Sequence, residues 1–144
     1  MVSGIDHFSL AVTDLDAAID FFERAYGMRP VFREDGMTDQ IQSMLGLSDG
    51  VACNIAQLTT DEHDIRLEVI EFRMQNDVSP PEKLPVVPGM GHAGFWVENF
   101  DEHISRLKTL GAVPLGKVTQ FEAGRSVYMK TEFGAVIEVS ERHS

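Results

Sequence analysis

The sequence predicts an α+β fold made of two βαβββ modules, and three observations carry that prediction. A strand with a histidine at its head, then Asp-rich punctuation and an amphipathic helix, make up "GIDHFSLAVTDLDAAIDFFERAYGM". The same order returns from Gly91 as "GHAGFWVENFDEHISRLKTLGAV": moving the first copy by 85 positions lays His7 on His92, Val12 on Val97, Asp16 on Asp101 and Ile19 on Ile104. After each helix come three segments rich in β-branched and aromatic residues, so that half the chain repeats the other half.

The elements follow in order. Over Ile5–Val12, Phe8, Leu10 and Val12 point one way and His7, Ser9 and Ala11 the other, the alternation of a strand with one buried face. Asp14 and Asp16 offer capping oxygens, Ala18, Ile19, Phe22 and Tyr26 recur at helical spacing, and Gly27 stops the helix. "RPVFRE", "GVACNIAQL" and "IRLEVIEFR" complete the first module, residues 5–72. Met37–Leu47 is extra to it and reads as a short helix or a loop, with Met37, Met44 and Leu45 forming a lid or an ordinary surface helix. Residues 73–91, rich in proline and glycine, read as a linker.

In the second module, residues 92–140, Ala93, Phe95 and Val97 form the apolar face of the first strand, with His92, Gly94 and Trp96 opposite. Asn99 and Asp101 are its caps, Ile104, Leu107 and Leu110 the helical stripe, and Gly111 the stop. "VPLGKVTQF", "RSVYMKT" and "AVIEVSE" are the remaining strands. Residues 1–144 are expected to form a single domain.

Composition excludes several function classes. A net charge of -11 and a pI near 4.7 argue against nucleic acid and anionic membranes as partners. Cys53 is the only cysteine, so no intramolecular disulfide forms, and it reads as a small buried apolar residue. No apolar run is long enough to span a bilayer, and the N-terminus lacks the pattern of a secretory signal. A cytoplasmic location is expected. His63 and His103 read as solvent-facing, and His143 as a terminal residue without a role.

The last strand of each module carries the chemistry. In "RLEVIEF", Leu67 and Val69 leave Glu68 on the opposite face, with Glu71 in the other phase as a solvated residue. In "AVIEVSE", Ile137 and Val139 leave Glu138 opposite. If the two sheets cup around a common cavity, His7, Glu68, His92 and Glu138 converge there. Two imidazoles and two carboxylates suit Zn²⁺, Ni²⁺, Co²⁺, Mn²⁺ or Fe²⁺, and such an ion could chelate adjacent substrate oxygens while a carboxylate moves a proton. For a lone histidine a structural role is the better reading; the repeat reverses that order.

The segments "IDHFSLAVTDLDAAIDFFERAYGM", "IRLEVIEF", "GHAGFWVENFDEHISRLKTLGA" and "GAVIEVSE" resemble the vicinal oxygen chelate superfamily. That superfamily takes in glyoxalase I, methylmalonyl-CoA epimerase, extradiol dioxygenases and the bleomycin- and fosfomycin-resistance proteins. The resemblance implies a cupped mixed sheet around a metal site with His7, Glu68, His92 and Glu138 as ligands, and a homodimer. It implies a metal-dependent lyase or isomerase acting on a small-molecule substrate, with Glu138 or Glu68 as the proton-transferring residue. A non-catalytic binder of small molecules such as antibiotics is the alternative. The His, Glu, His, Glu order is similar to the glyoxalase I and epimerase branches.

Substrate contacts are expected from Trp96 as an apolar wall, from Tyr128 and Lys130 beside Ser126, and from Arg125, Arg33 or Arg66 as cationic groups. Asn54 and Ala52 are expected to face the cavity if Val51, Cys53 and Ile55 face the helix. That leaves no extra carboxylate of the kind epimerases place on this strand.

Overall fold

The computed structural model describes residues 4–46, 51–61, 65–74 and 85–142, which include two mixed sheets and three helices. The chain gathers into two compact units, residues 1–81 and 82–144. His63, His143 and residues 75–84 of the expected linker lie outside the described residues. No described helix is long and apolar enough to cross a membrane.

In the first unit β1 (His7–Ala11) leads into α1 (Leu15–Tyr26), β2 (Arg29–Met37), α2 (Gln40–Leu45), β3 (Val51–Thr59) and β4 (Arg66–Met74), with sheet order β1-β4-β3-β2. β1 and β4 are parallel and the other pairs antiparallel. α1 starts where the Asp14 carboxylate accepts the Ala17 amide hydrogen at 3.0 Å. It stops at Gly27, whose left-handed backbone (φ 65°) lets its own N–H reach the Glu23 carbonyl and the Met28 N–H the Phe22 carbonyl. Leu15, Ala18, Phe21 and Phe22 bury the inner stripe of α1, and Ala56, Leu58, Leu67 and Val69 are buried on the strands it contacts.

The opposite face of the same sheet is covered as well. Cys53, Ile55 and Ile70 form a buried cluster against which Met37, Ile41 and Phe72 pack. α2 is therefore an ordered helix that seats Ile41 on the sheet, while Met44 and Leu45 remain exposed.

The second unit repeats the plan. β5 (Ala93–Val97), α3 (Phe100–Thr109), β6 (Val113–Pro114), β7 (Thr119–Phe121), β8 (Gly124–Lys130) and β9 (Val136–Glu141) form a sheet in the order β5-β9-β8-β6, with β7 also on β8. The single strand expected over "VPLGKVTQF" is two short ones. β6 pairs Val113 with Lys130 and β7 pairs Thr119 with Ser126, so the register slips by two residues between them. Pro114 is the last paired residue of β6 and Gly116 lies in the gap before β7, where it has no side chain to pack. The α3 side of this sheet buries Val127, Met129, Ile137 and Val139 beneath Ile104 and Leu107.

Two expectations about polar residues change. His103 is half-buried in α3, and burial, with Arg106 nearby, lowers its imidazole pKa from 6.5. Glu71 is half-buried rather than solvated, and its carboxylate accepts the Asn54 amide at 3.0 Å.

Two predictions follow from the packing. Gly124 has φ 141°, and a Cβ there would meet the Glu141 carbonyl oxygen. Gly124→Ala should therefore destabilise the fold by at least about 2 kcal/mol in urea unfolding. Because folded His103 holds its proton less tightly than the unfolded chain, its contribution to stability is present above pH 6.5 and is lost as pH falls through its lower folded value. His103→Gln should flatten the loss of thermal stability between about pH 7 and pH 5; an unchanged slope would remove His103 from the account.

Candidate metal centre

In both units parallel pairing puts the histidine and glutamate side by side. Ser9 lies opposite Glu68 on β4, and Gly94 lies opposite Glu138 on β9. Each of these partners is two residues beyond its histidine, so His7 and His92 stand on the face of their glutamate, one step along the strand. The His7 Nε2 to Glu68 Oε2 distance is 3.4 Å, and His92 Nε2 to Glu138 Oε2 is 3.0 Å.

Those separations fit cis ligands of one divalent ion. Two donors each about 2.1 Å from an ion, at an angle between roughly 90° and 110°, stand about 3.0–3.4 Å apart. Among the described residues no group of three or more His, Cys, Asp and Glu side chains is clustered to hold an ion; each unit carries one imidazole–carboxylate pair of that geometry.

The two pairs are held by different means. Behind His7, the Asp6 carboxylate accepts the Nδ1 hydrogen at 2.6 Å. That bond holds Asp6 below its ordinary pKa, fixes the ring tautomer and leaves Nε2 as a lone-pair donor. Glu68 accepts from the Ser9 hydroxyl at 2.9 Å on Oε1 and from the Gln57 amide at 3.4 Å on Oε2. Gly91 precedes His92, so no side chain can repeat the part of Asp6; the Tyr128 ring stands edge-on to His92 at 4.9 Å instead. Glu138 Oε1 has the Ser126 and Ser140 hydroxyls at 2.9 and 3.2 Å. Burial disfavours the Glu138 charge, but hydrogen bonds from Ser126, His92 and Ser140 outweigh it and leave the carboxyl below its ordinary pKa.

The expected substrate residues divide. Tyr128 is directly opposite Glu138, Trp96 is opposite Ser140, and Lys130 shares their phase on β8, so all three lie on the Glu138 face. Arg125 does not. It is in the phase of Val127 and Met129, where its guanidinium bonds Asp101 of α3 and Glu141 of β9 and lies 4.7 Å from the Phe100 ring centre. Arg125 ties the helix to the sheet, and the expectation that it meets substrate is corrected.

Asn54 is corrected too. Gln57 pairs with Glu68, Ile55 with Ile70 and Cys53 with Phe72, so these residues share the Glu68 face and Asn54 points to the α1 side. There its side-chain oxygen accepts the Gly36 N–H at 2.8 Å. The exchange still leaves no carboxylate of β3 beside Glu68. Both phases of β3 are apolar because α1 covers one face and Ile41 and Met37 the other, so alternation alone could not orient the strand. Burial, together with Glu34 and Glu68, pushes the Cys53 thiol up in pKa, which suits an inert core residue.

Arg33 pairs with Asp16 and Asp35, and Arg66 donates to the Gln57 side-chain oxygen at 3.1 Å. Sequence reasoning missed Asp6, Gln57 and Ser140. Asp6 had a signal, since it adjoins a candidate ligand; Gln57 and Ser140 are visible only once cross-strand register is known.

Residues 4–139 match the family described as the Glyoxalase/Bleomycin resistance protein/Dioxygenase superfamily. Among solved structures, a glyoxalase family protein from Bacillus cereus is similar over 100% of this chain and 97% of its own, at 27% identity and TM-score 0.84. The fosfomycin resistance protein FosX from Listeria monocytogenes, complexed with Mn(II) and sulfate, is similar over 99% and 95%, at 19% identity and TM-score 0.62. A glyoxylase/bleomycin resistance protein/dioxygenase domain from Frankia sp. EAN1pec is similar over 99% and 100%, at 18% and 0.65. No curated protein matches the sequence.

Proposed function

The chain belongs to the Glyoxalase/Bleomycin resistance protein/Dioxygenase superfamily, and from that premise we propose that it is a divalent-metal-dependent lyase or isomerase of the glyoxalase type. The observation that carries the reading is the repeated His–Glu pair, with Nε2 to Oε2 separations of 3.4 and 3.0 Å at equivalent strand positions. In this reading each pair, His7 with Glu68 and His92 with Glu138, supplies metal ligands of the borderline-to-hard kind that suit Zn²⁺, Ni²⁺, Co²⁺, Mn²⁺ or Fe²⁺. FosX with Mn(II) supports including manganese among the ions tested. The substrate is a small molecule with oxygens on adjacent atoms, and the working form is a homodimer in the cytoplasm.

A bound divalent ion supplies Lewis-acid polarisation of those oxygens. The chain's own residues do the rest. Asp6 holds His7 in the tautomer that presents Nε2. Ser126, Ser140 and His92 stabilise Glu138 as a carboxylate, which makes it the steadier ligand and the poorer proton acceptor. Glu68, with the Ser9 hydroxyl on Oε1 and the weaker Gln57 contact on Oε2, is the carboxylate assigned to take up and return a proton. Tyr128, packed on His92, helps hold that ring against Glu138.

Metal analysis of protein purified without chelator tests the reading directly. Wild type should carry about one divalent ion per chain, and His92→Ala and Glu138→Gln should lose most of it while keeping their fold by circular dichroism. Asp6→Asn should bind the ion roughly tenfold more weakly, read by competition with a chelating dye. Absence of metal in wild type after reloading with Zn²⁺, Ni²⁺, Co²⁺ and Mn²⁺ would overturn the enzyme reading in favour of a binding protein for a small molecule such as an antibiotic.

A further inference from the structure

We propose that Trp96 and Arg142 form a second subsite on the Glu138 face, one that takes the acidic group of a substrate whose oxygenated end lies at His92 and Glu138. Trp96 stands opposite Ser140, two residues along β9 from Glu138, a step of about 7 Å. Trp96 is 66% exposed, which leaves it accessible to a ligand. Arg142, one residue past β9, places its guanidinium 4.7 Å from the Trp96 ring centre.

Most arginines of the chain are committed to carboxylates. The chain has 23 acidic and 12 basic residues. Arg24, Arg29, Arg33, Arg73 and Arg125 each pair with a carboxylate. Among the described residues Arg142 pairs with none and lies on Trp96 instead. Stacking on an indole holds a guanidinium in place without using up its N–H fork, so the fork stays available for a carboxylate or phosphate. The substrate class that fits is a small acid with vicinal oxygens at one end and a second anionic group about two strand residues away. The subsite rests on the proposed function only for the end of the ligand at Glu138; anion capture by Arg142 does not require a metal.

The test compares two acids of one chain length, 2-oxoadipate and 2-oxohexanoate, which differ in the distal carboxylate. Trp96 is the only tryptophan, so its fluorescence reports occupancy at the site itself. Both acids are titrated at fixed ionic strength into Mn²⁺-loaded and chelator-treated protein. The diacid should bind roughly fivefold more tightly than the monoacid. Arg142→Gln should close that gap, and Arg142→Lys should retain part of it. A preference that persists without any effect of Mn²⁺ would support the subsite and count against the metal reading. Equal affinities, a preference that survives Arg142→Gln, or no Trp96 response to either acid would overturn the subsite.

Discussion

Parallel pairing between the first and last strands of each module is the constraint on which the site depends. A parallel pair cannot be closed by a hairpin; it needs a long crossover. Here the crossover consists of α1, β2, α2 and β3 in the first unit and of α3, β6, β7 and β8 in the second. In the first unit β2, β3 and β4 run back antiparallel, and the last of them reaches β1. Register is then set by burial. Leu67 and Val69 must go under α1, so Glu68 is turned to the opposite face beside His7. A slip of one residue would bury the carboxylate and expose the core, which makes the register costly to change. The second unit meets the same requirement with Ile137, Val139 and Glu138.

The repeat preserves strand positions and lets the surroundings diverge. Asp6 stands behind His7, whereas Gly91 precedes His92 and Tyr128 packs on that ring. Glu68 is supported by Ser9 and Gln57, and Glu138 by Ser126 and Ser140. The two carboxylates therefore share a position and differ in the groups that support them. Such a difference is what a site needs if one carboxylate is to stay a ligand and another is to exchange a proton.

The faces away from the site are tied down by polar contacts that could be mistaken for substrate contacts. Arg125 spans Asp101 and Glu141 while lying on Phe100, and Asn54 joins Gly36 to Glu71. Both residues are polar, partly buried and on the strand that pairs with the glutamate's strand. What separates them from Tyr128 and Trp96 is one step of strand phase.

The sequence by itself determined the modules, the α1 caps and the His–Glu pairs, because each is written in local periodicity or in the 85-residue repeat. Helix spacing, strand alternation and a left-handed glycine are properties of neighbouring residues and need no knowledge of distant ones. Only the tertiary structure decided which phase of β3 faces Glu68, since α1 and Ile41 of α2 bury both of its faces and alternation has no polar side to read. It also decided that Arg125 belongs to α3, that His103 is half-buried, and that "VPLGKVTQF" breaks into β6 and β7. For β3 and Arg125 the deciding partners lie many residues away, and what a side chain touches across strands follows from register and packing rather than from its own neighbourhood.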